Sequence, residues 1–404
     1  MIPVSVMVTG RGTVSRRIKG DYGPGRPSKF SDAWRPVVSW NLTSACNLRC
    51  LHCYIRAGAR GGEELDREEA REGLRQMSDL GVPLILFSGG EPLMRPDALE
   101  LMEEAAGRGI RIALSTNGTL ITEEVARRLS RIGVSYVGIS LDSPRPEWHD
   151  SFRGVQGAFN ATMKGIRNSV REGLDVGLRL TVTSRNVDDV PALLGLAEDV
   201  GAKRVTFYHL SAAGRALELD RSWYMDGGQY SRFIDTLIEN SRRYEGEIEI
   251  ETTMAPFDGI AIADHVSRSP GEFRDMMELV ASQGGCGRKI ISIYPDGTVR
   301  PCQFVDFMEL GNVRRSSLRE ILDPSRAEVD YFVNTHRYLK GPRCSSCPFR
   351  SICGGGDRIR AYYLGGGPGA DDPQCHLDVA SVAGRWGWTG DGERTRSRPE
   401  APGA

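Results

Sequence analysis

Three cysteines lie within one short segment, TSACNLRCLHCYIRAG (residues 43–58), and their spacing is CxxxCxxC. Thiolate is a soft ligand that selects zinc, copper(I) or iron–sulfur clusters. A structural zinc site needs four ligands, and His52 is poorly placed to be the fourth because it adjoins Cys53 in the chain. A cubane cluster held by Cys46, Cys50 and Cys53, with one iron open to a co-substrate, fits the segment best. A zinc site remains the alternative.

The composition argues against several classes of function. The 404-residue chain is 40% hydrophobic and 26% charged, with a formal net charge of −1. We therefore do not expect nucleic acid or an anionic membrane surface as a partner. No apolar run is long enough to span a bilayer, and the first residues lack the features of a secretory signal. Nine cysteines in such a chain predict a cytoplasmic protein whose clustered thiols bind metal.

From residue 36, six apolar runs alternate with amphipathic stretches of helical length. The runs are PVVSWNL, PLILFSGG, IRIALSTNG, YVGISLD, DVGLRLTVT and RVTFYHL. This alternation predicts an α/β fold in which a parallel sheet is covered by helices. Functional groups in such folds lie at the carboxyl ends of the strands. Polar residues follow the first four runs: the three cysteines, then Ser88–Gly89–Gly90–Glu91, Asn117–Gly118 and Asp142.

The rest of the chain differs in character. Residues 1–35 carry turn signals and are expected to be an irregular lead-in to a unit at 36–215, whereas 216–283 look like a helical connector. Residues 284–380 are rich in Gly and Cys, and KIISIYPDGTVRPCQF predicts a hairpin there. Residues 381–404 are polar and rich in Gly, Pro and Arg, so we expect a disordered tail.

The residues at the strand ends, taken together, resemble those of radical S-adenosylmethionine (SAM) enzymes. The matching elements occur in order within residues 36–215: Cys46–Cys50–Cys53–Tyr54, Gly89–Gly90–Glu91–Pro92, Ser115–Thr116–Asn117–Gly118 and Ser140–Leu141–Asp142. The resemblance implies a partial (β/α)6 TIM-like barrel, which agrees with the six alternations. It also implies that a 4Fe-4S cluster on the three cysteines reduces SAM, and that the resulting 5′-deoxyadenosyl radical abstracts a substrate hydrogen.

The same resemblance implies a set of cofactor-binding residues. In the family, the Gly-Gly-Glu-Pro element holds the amino group of the methionine moiety, and the third and fourth strand ends line the nucleoside site. The predicted set is Tyr54, Gly89, Gly90, Glu91, Ser115, Asn117, Ser140, Asp142 and Arg179. No catalytic side chain is assigned. An electron donor such as ferredoxin or flavodoxin is the expected protein partner.

The later cysteines are similar to the auxiliary-cluster extension called SPASM. In that pattern the CxxCx5C run and the last cysteine bind one cluster, which implies that one auxiliary 4Fe-4S cluster is held by Cys344, Cys347, Cys353 and Cys375. The same four thiolates would also suit zinc. The family has one more cysteine, where this chain has Asp357. A second auxiliary cluster on Cys286, Cys302 and Asp357 is the less favoured reading, because carboxylate is a poorer ligand for such iron.

A finer resemblance is to radical enzymes of tetrapyrrole maturation, carried by PDGTVRPCQF…LGNVR…CSSCPFRSICGGGDRIRAYYLGG…DPQC. These enzymes remove carboxylate or acetate side chains from iron porphyrinoids. The implied reaction is oxidative decarboxylation of iron-coproporphyrin propionates to vinyl groups in heme biosynthesis. Such a substrate needs cations and aromatic rings near the strand ends. With the period of two along the fifth strand, Arg179, Thr181 and Thr183 are the inward candidates. The sixth strand offers Tyr208 and His209, and Arg215 follows in the loop.

Alternatives remain at this point. Arg179 could bind the cofactor's carboxylate instead of a propionate, and His209 is expected to be an ordinary hydrogen-bonded histidine rather than a ligand of heme iron. The whole chain could be a SPASM-type maturase of a peptide or protein side chain. Residues 1–35 are too short for the peptide-recognition domain of many such enzymes, which favours a small molecule. A non-enzymatic iron–sulfur or zinc scaffold is the third hypothesis.

Overall fold

The computed structural model describes residues 1–20, 23–25, 30–32, 34–59 and 62–390. Ten strands in these ranges form one sheet: β1 Val37–Asn41, β2 Leu84–Ser88, β3 Arg111–Thr116, β4 Tyr136–Ser140, β5 Val176–Val182, β6 Arg204–His209, β7 Glu249–Thr253, β8 Ile290–Ile293, β9 Thr298–Arg300 and β10 Gly311–Asn312. Their order is β10-β9-β8-β1-β2-β3-β4-β5-β6-β7. Strands β1 to β7 are parallel, β8 is parallel to β1, and β9 and β10 are antiparallel additions.

Helices follow most of the parallel strands. The α-helices are α1 Val4–Thr9, α2 Val14–Lys19, α3 Arg67–Leu80, α4 Ala98–Gly107, α5 Glu123–Ile132, α6 Pro146–Arg153, α7 Ala158–Arg171, α8 Val190–Asp199, α9 Gly227–Arg243, α10 Phe257–Val266, α11 Pro270–Gln283, α12 Leu318–Ile321, α13 Ala327–Val333, α14 Arg350–Cys353, α15 Arg358–Gly365 and α16 Val379–Trp386. Short 3-10 turns occupy Pro92–Met94, Val187–Asp189, Gly214–Glu218, Arg221–Trp223 and Thr335–Arg337. None of the helices in the described ranges is long and apolar enough to cross a membrane.

The predicted partial barrel is confirmed, and the sequence signals that start and stop its helices act as expected. Asp66 forms a capping box at the start of α3, and the Thr122 hydroxyl accepts a hydrogen bond from the Val125 amide at the start of α5. Both helices end at glycines in the left-handed conformation, Gly81 and Gly133. These caps satisfy backbone groups that the helix itself leaves unpaired.

Strand β5 shows how the two faces of the sheet differ. Leu178, Leu180 and Val182 are buried in the main hydrophobic core, as their period-two spacing predicted. Arg179 lies on the opposite face and lines a central cavity. The helices therefore cover an apolar outer face, while the inner face carries polar groups.

Three expectations about the flanking segments were wrong or incomplete. The lead-in contains α1, which packs on α9 and β7, and α2, whose Ser15 amide donates to Glu249 of β7. The predicted helical connector also contains β7, which extends the parallel sheet beyond β6. Part of the predicted tail forms α16, whose Trp386 indole donates a hydrogen bond to Asp264. The remainder of that prediction, residues 391–404, lies outside the described residues.

A buried group of charges connects the N-terminal segment to the last strands of the barrel. The Arg204 guanidinium lies 3.3 Å from Glu249 and 3.6 Å from Glu251, and all three side chains are buried. Ser15 of α2 donates its amide to Glu249 (2.9 Å) and accepts from Arg204 (2.7 Å). Carboxylates are tolerated in the interior when such cations and donors compensate their charge.

We expect the variant Arg204→Gln to lower the free energy of unfolding by about 3 kcal/mol, because it removes the guanidinium that pairs with both buried carboxylates. Equilibrium urea unfolding measures this change. The matched control is Arg171→Gln, whose ion pair with Glu123 is more than half exposed on both sides and should contribute less than about 1 kcal/mol. Similar losses in the two variants would contradict the assigned role of Arg204.

Candidate functional site

The cysteine loop between β1 and α3 is held by hydrogen bonds from several elements. Backbone amides of Arg49 and Leu51 donate to the carbonyls at the end of α6. Arg215, from the turn after β6, donates to the carbonyls of Cys50 (2.7 Å) and Ala57 (2.9 Å). Two nitrogens of this guanidinium thus fix the loop, while its Nη2 is buried with no hydrogen-bond partner in the described residues, so binding of a substrate carboxylate by Arg215 stays a prediction.

The three cysteines of the loop lie together in one small apolar cluster with Leu48 and Ala158. Two sulfurs accept backbone hydrogen bonds: Cys46 from Leu48 at 3.4 Å and Cys53 from Ala57 at 3.2 Å. Burial raises the pKa of Cys46 to about 12, so that thiol stays protonated until a metal displaces the proton. Clustered thiols with N–H···S bonds fit an iron–sulfur cluster, whose sulfurs are commonly hydrogen-bonded in this way.

The zinc alternative for this loop gains no support from its histidine. The His52 ring stacks on Phe152 with centroids 4.2 Å apart. Burial lowers the pKa of His52 well below its ordinary value. Its position against Phe152 gives it a packing role.

The Gly89–Gly90–Glu91 turn lies directly against the cysteine loop. The Gly90 amide donates to the Thr43 carbonyl and the Glu91 amide to the Ala45 carbonyl, each at 2.8 Å. Glu91 is fully buried and accepts from the Thr116 hydroxyl (2.8 Å) and the Asn117 amide (2.8 Å). Burial raises the pKa of Glu91 to about 7 despite these donors. The turn thus supplies a buried acidic group whose charge can respond to a bound cation.

The other predicted cofactor-binding residues lie at neighbouring strand ends. Asn117 donates to Asn47 of the cysteine loop (2.8 Å), and the Ser115 hydroxyl accepts from Arg179 (2.5 Å). Ser140 is opposite Arg179 in the register of β4 and β5. The Tyr54 hydroxyl donates to Asn41 (2.7 Å). The structure therefore brings the predicted set to one end of the barrel, next to the three cysteines.

Asp142 differs from the rest of the predicted set because its carboxylate is used inside the protein. It pairs with Arg153 (2.5 Å) and accepts from the Thr181 amide (2.8 Å). Arg153 also donates to the Cys50 sulfur at 3.6 Å. Asp142 is fully buried, so its geometry favours positioning the loop over contact with a nucleoside. The sequence analysis missed Arg153, because a single arginine near the end of a helix carries no spacing signal.

The four later cysteines are neighbours in the C-terminal unit, since the charge of one raises the pKa of another, although no three His, Cys, Asp or Glu side chains in the described ranges are arranged to hold a metal ion. Each of Cys344, Cys347, Cys353 and Cys375 has a pKa raised chiefly by burial, and charge on a neighbouring member of the group raises it further for three of them. The Gly356 amide donates to the Cys353 sulfur at 3.2 Å, and the Asp371 carboxylate accepts from the Cys344 amide at 2.8 Å. The N–H···S bond again suits a thiolate ligand of a cluster, whereas the Asp371 carboxylate raises the pKa of the Cys344 thiol.

Cys286 and Cys302 lie apart from that group and are paired in a disulfide, with Cα atoms 4.8 Å apart. Asp357, the residue considered as a third ligand beside them, already has hydrogen-bond and ion-pair partners of its own. It accepts from the Ser211 hydroxyl (2.7 Å) and the Ile359 amide (2.9 Å), and it lies 3.4 Å from Arg360. This geometry argues against a second auxiliary cluster that uses Asp357.

A cavity of about 350 Å³ runs from the barrel interior to the C-terminal unit, a size within the range of small-molecule sites. Cys353 lines it, and Phe304 on its wall contacts the Tyr54 ring at 5.0 Å. The cavity therefore borders the later cysteine group and adjoins the residue that follows Cys53. Its aromatic lining comprises Phe30, Tyr136, Tyr208, Phe304 and Phe332.

The remaining predicted substrate contacts divide between the cavity and the core. Arg179 and Tyr208 line the cavity. Thr183 is buried and bonds to Asn186 within the turn after β5. The expectation for His209 is confirmed, since it is buried and hydrogen-bonded to Asp258 at 2.8 Å. It is not among the residues that line the cavity.

Comparison with known proteins identifies the family. Residues 40–197 match the radical SAM superfamily, and residues 285–348 match the SPASM iron–sulfur cluster-binding domain. The Fe-coproporphyrin III synthase of Methanosarcina barkeri is 36% identical over 89% of this chain and 92% of its own length. The chain belongs to the radical SAM superfamily. It is a radical SAM enzyme with a SPASM domain, as the motifs predicted.

Two further relatives have similar coverage. The pre-heme d1 synthase of Dinoroseobacter shibae is 35% identical over 94% of both chains. An AdoMet-dependent heme synthase of Methanosarcina barkeri is 31% identical over 84% of this chain and 95% of that protein. The names of these relatives refer to heme, heme d1 or an iron porphyrin.

Solved structures confirm the fold of this radical SAM enzyme. SuiB of Streptococcus suis bound to S-adenosylmethionine superposes with a TM-score of 0.64 at 17% identity, covering 85% of this chain and 78% of that one. Native anSMEcpe with bound AdoMet gives 0.61 at 20% identity, covering 87% and 95%. At these identities the likeness concerns the fold alone.

We expect the variant Gly89→Ala to displace the cysteine loop. Gly89 has φ +135°, and an added Cβ would lie 2.6 Å from the Thr43 carbonyl oxygen. Because this turn packs on the cysteine loop, iron content should fall from about eight atoms per chain towards about four, measured by iron and sulfide analysis after anaerobic reconstitution.

The control for this prediction is Gly109→Ala. Gly109 also has a positive φ, +76°, but nothing lies within 4 Å of its added Cβ. It therefore tests a positive-φ substitution without the clash, at a smaller backbone cost than φ +135° imposes, and its iron content should be unchanged. Full iron loading in Gly89→Ala would show that the contact with Thr43 does not position the loop.

Proposed function

We propose that this radical SAM enzyme removes carboxylate-bearing side chains from an iron porphyrinoid. The specific reaction proposed is the oxidative decarboxylation of iron-coproporphyrin propionates to vinyl groups in heme biosynthesis. The observation that supports it most directly is the cavity, which combines aromatic walls with cationic side chains such as Arg179 and Arg358. A planar, apolar molecule with several carboxylates has the complementary chemistry. The names of the three relatives above agree with this substrate class.

A second candidate reaction within the same class is the formation of iron-coproporphyrin. The sequence identities to the named relatives favour it. The relative named as a synthase of Fe-coproporphyrin III is 36% identical, whereas the heme synthase is 31% identical. The chain would then produce iron-coproporphyrin from a more carboxylated porphyrinoid instead of consuming it. Both candidates need a cavity that recognises carboxylates, so the cavity alone does not separate them.

We assign the cluster ligands from the two cysteine groups. Cys46, Cys50 and Cys53 would hold the cluster that leaves one iron open to SAM. The auxiliary cluster would be held by Cys344, Cys347, Cys353 and Cys375. Together with bound SAM, the first cluster supplies the radical chemistry. The partial burial of the thiols, complete only for Cys50, and the N–H···S bonds support this assignment over free cysteines.

The protein's own groups would orient SAM and keep water away from it. Glu91 would accept a hydrogen bond from the SAM ammonium group, and Asn117 and Ser115 would contact the cofactor from β3. Arg153 would place a positive charge beside Cys50, which suits an anionic cluster. The walls formed by Tyr54, Phe304 and Tyr208 would exclude water from the reacting carbon. A cytoplasmic location and a ferredoxin or flavodoxin as electron donor remain proposals.

The test of the reaction is anaerobic incubation with SAM, a reductant and iron-coproporphyrin III. For each propionate, the 5′-deoxyadenosyl radical takes one hydrogen atom, and an added one-electron acceptor takes the electron left behind when carbon dioxide departs. We therefore expect release of 5′-deoxyadenosine and carbon dioxide, and a porphyrin that has lost carbon dioxide and two hydrogens for each propionate, measured by mass spectrometry. Unchanged iron-coproporphyrin together with conversion of a more carboxylated iron porphyrinoid would select the second candidate. If neither porphyrinoid changes while a peptide does, the maturase alternative replaces both.

Replacing Cys50 with Ala should abolish 5′-deoxyadenosine formation, because the SAM-binding cluster would lose one of three thiolates. Iron analysis serves as the internal control, since the C-terminal cysteines are untouched and should retain about four irons. Continued 5′-deoxyadenosine formation in this variant would refute the assignment of the first loop.

The affinity for SAM should depend on pH through Glu91. Because the pKa of this carboxyl is about 7 in the free protein, it is neutral below pH 7 and must lose its proton to pair with the ammonium. Between pH 6 and pH 7 the affinity should therefore rise by about fivefold, and it should then level off. Equilibrium dialysis with labelled SAM measures this change. The variant Glu91→Gln cannot ionise, so it should bind weakly with no such rise; a parallel rise would exclude Glu91 as the cause.

A further inference from the structure

The cavity wall has an excess of positive charge. Its cationic lining residues are Lys19, Arg179, Arg204, Arg288, Lys289 and Arg358, and Asp357 is the single carboxylate among the described residues that line it. Asp357 is already occupied by Ser211, the Ile359 amide and Arg360. The cavity therefore suits an anionic ligand, although several of these cations also have partners within the protein.

Arg358 differs from Arg204, whose Nε also lacks a hydrogen bond but lies 3.6 Å from Glu251, because two of its guanidinium nitrogens have no hydrogen-bond partner in the described part of the chain. The side chain is buried, with 6% of its surface exposed. Its Nη1 donates to the carbonyls of Pro368 (3.3 Å) and Ala370 (2.7 Å). Its Nε and Nη2 are buried and have no hydrogen-bond partner in the described residues. Buried donors of this kind are rare in folded proteins, and each needs an explanation.

The nearby carboxylates do not supply the missing partner. Asp372 accepts two hydrogen bonds from Arg360, at 3.0 and 2.8 Å. Asp357 already accepts hydrogen bonds from Ser211 and the Ile359 amide and lies beside Arg360. Arginine stays protonated when buried, so the open donors cannot be relieved by loss of a proton. The Nε–H and Nη2–H bonds of a guanidinium lie on the same edge and point in the same direction, which is the arrangement that grips both oxygens of a carboxylate.

We propose that Arg358 binds a carboxylate of the substrate through Nε and Nη2. The inference rests on the proposed function, because a porphyrinoid with several carboxylates is the ligand expected in this cavity. Nη1 is anchored to the 366–371 segment through Pro368 and Ala370, so the free edge of the guanidinium is held in a fixed position. Arg358 is thereby a binding residue that selects free carboxylates and orients the macrocycle relative to the two cysteine sites.

The test uses the reconstituted enzyme and two probes, iron-coproporphyrin III and its uncharged tetra-amide, followed by anaerobic absorbance titration. The variant Arg358→Gln should raise the dissociation constant of the acid by roughly 10- to 100-fold, the effect of losing a charge-assisted bidentate contact. Binding of the tetra-amide should not change. Arg358→Lys should be intermediate, since it keeps the charge without the fork. Arg319→Gln, an exposed arginine in the same unit, is the matched control and should behave as wild type.

Several results would overturn the proposal. Equal weakening of acid and amide would mean that Arg358 only supports the fold, and unchanged binding of both would remove it from the site. A changed electron paramagnetic resonance spectrum of the auxiliary cluster, with unchanged porphyrin binding, would show that the open donors serve the cluster. If Arg358→Gln loses iron, Arg358→Lys is compared with wild type instead. An equal preference for the acid over the amide in these two proteins would refute the bidentate contact.

Failure of the proposed function gives a different result from failure of this inference. If wild type binds neither porphyrin probe while it still cleaves SAM, the porphyrinoid substrate itself is wrong. If wild type prefers the acid and Arg358→Gln retains that preference in full, the substrate class stands and only the role of Arg358 fails.

Discussion

The buried ion pair of Asp142 and Arg153 is the interaction on which the geometry of the radical site depends. Asp142 follows β4 and is bonded to the Thr181 amide of β5, so its position is fixed by the sheet. Arg153 ends α6, pairs with Asp142 and reaches the Cys50 sulfur. A charge taken out of water requires a partner. Here a series of contacts runs from the Thr181 amide of the sheet to Asp142, from Asp142 to Arg153, and from Arg153 to the Cys50 sulfur. The loop that carries Cys46, Cys50 and Cys53 is consequently placed by the barrel, since the segment itself forms neither a helix nor a strand.

The same arrangement explains why the cavity, which follows the inner face of the sheet, reaches the later cysteine group at Cys353. The parallel order of β1 to β7 brings the strand ends together at the first group, while β8 continues the sheet beside β1 and carries the chain into the C-terminal unit. Phe304 comes shortly after strands β8 and β9, and its ring contacts the rings of both Tyr54 and Tyr208. The C-terminal unit therefore closes the open side of a partial barrel, and its Cys353 and Arg358 become part of the cavity wall.

Most of the barrel could be predicted from the sequence, because its strands are apolar runs and its helices carry explicit caps such as Asp66 and Thr122. Strand β7 was missed because its inward residues are Glu249 and Glu251, whose burial makes sense only beside Arg204. Helix α1, with the sequence VSVMVT, is rich in β-branched residues that disfavour helices, and packing on α9 and β7 overrides that preference. Arg153 and Arg215 could not be assigned in advance, since their roles depend on contacts with a loop that is distant in sequence.

The residue at position 357 illustrates how a departure from a family pattern can be absorbed structurally. With aspartate in place of the pattern's cysteine, the side chain caps α15 through the Ile359 amide and lies beside Arg360. Arg360 in turn binds Asp372 and the carbonyls of Leu210 and Met254. This network joins the C-terminal unit to the loops after β6 and β7, so the carboxylate stabilises the interface where a thiolate would have bound iron. Cys286 and Cys302 then lack a third ligand at this position, and their sulfurs are paired with each other.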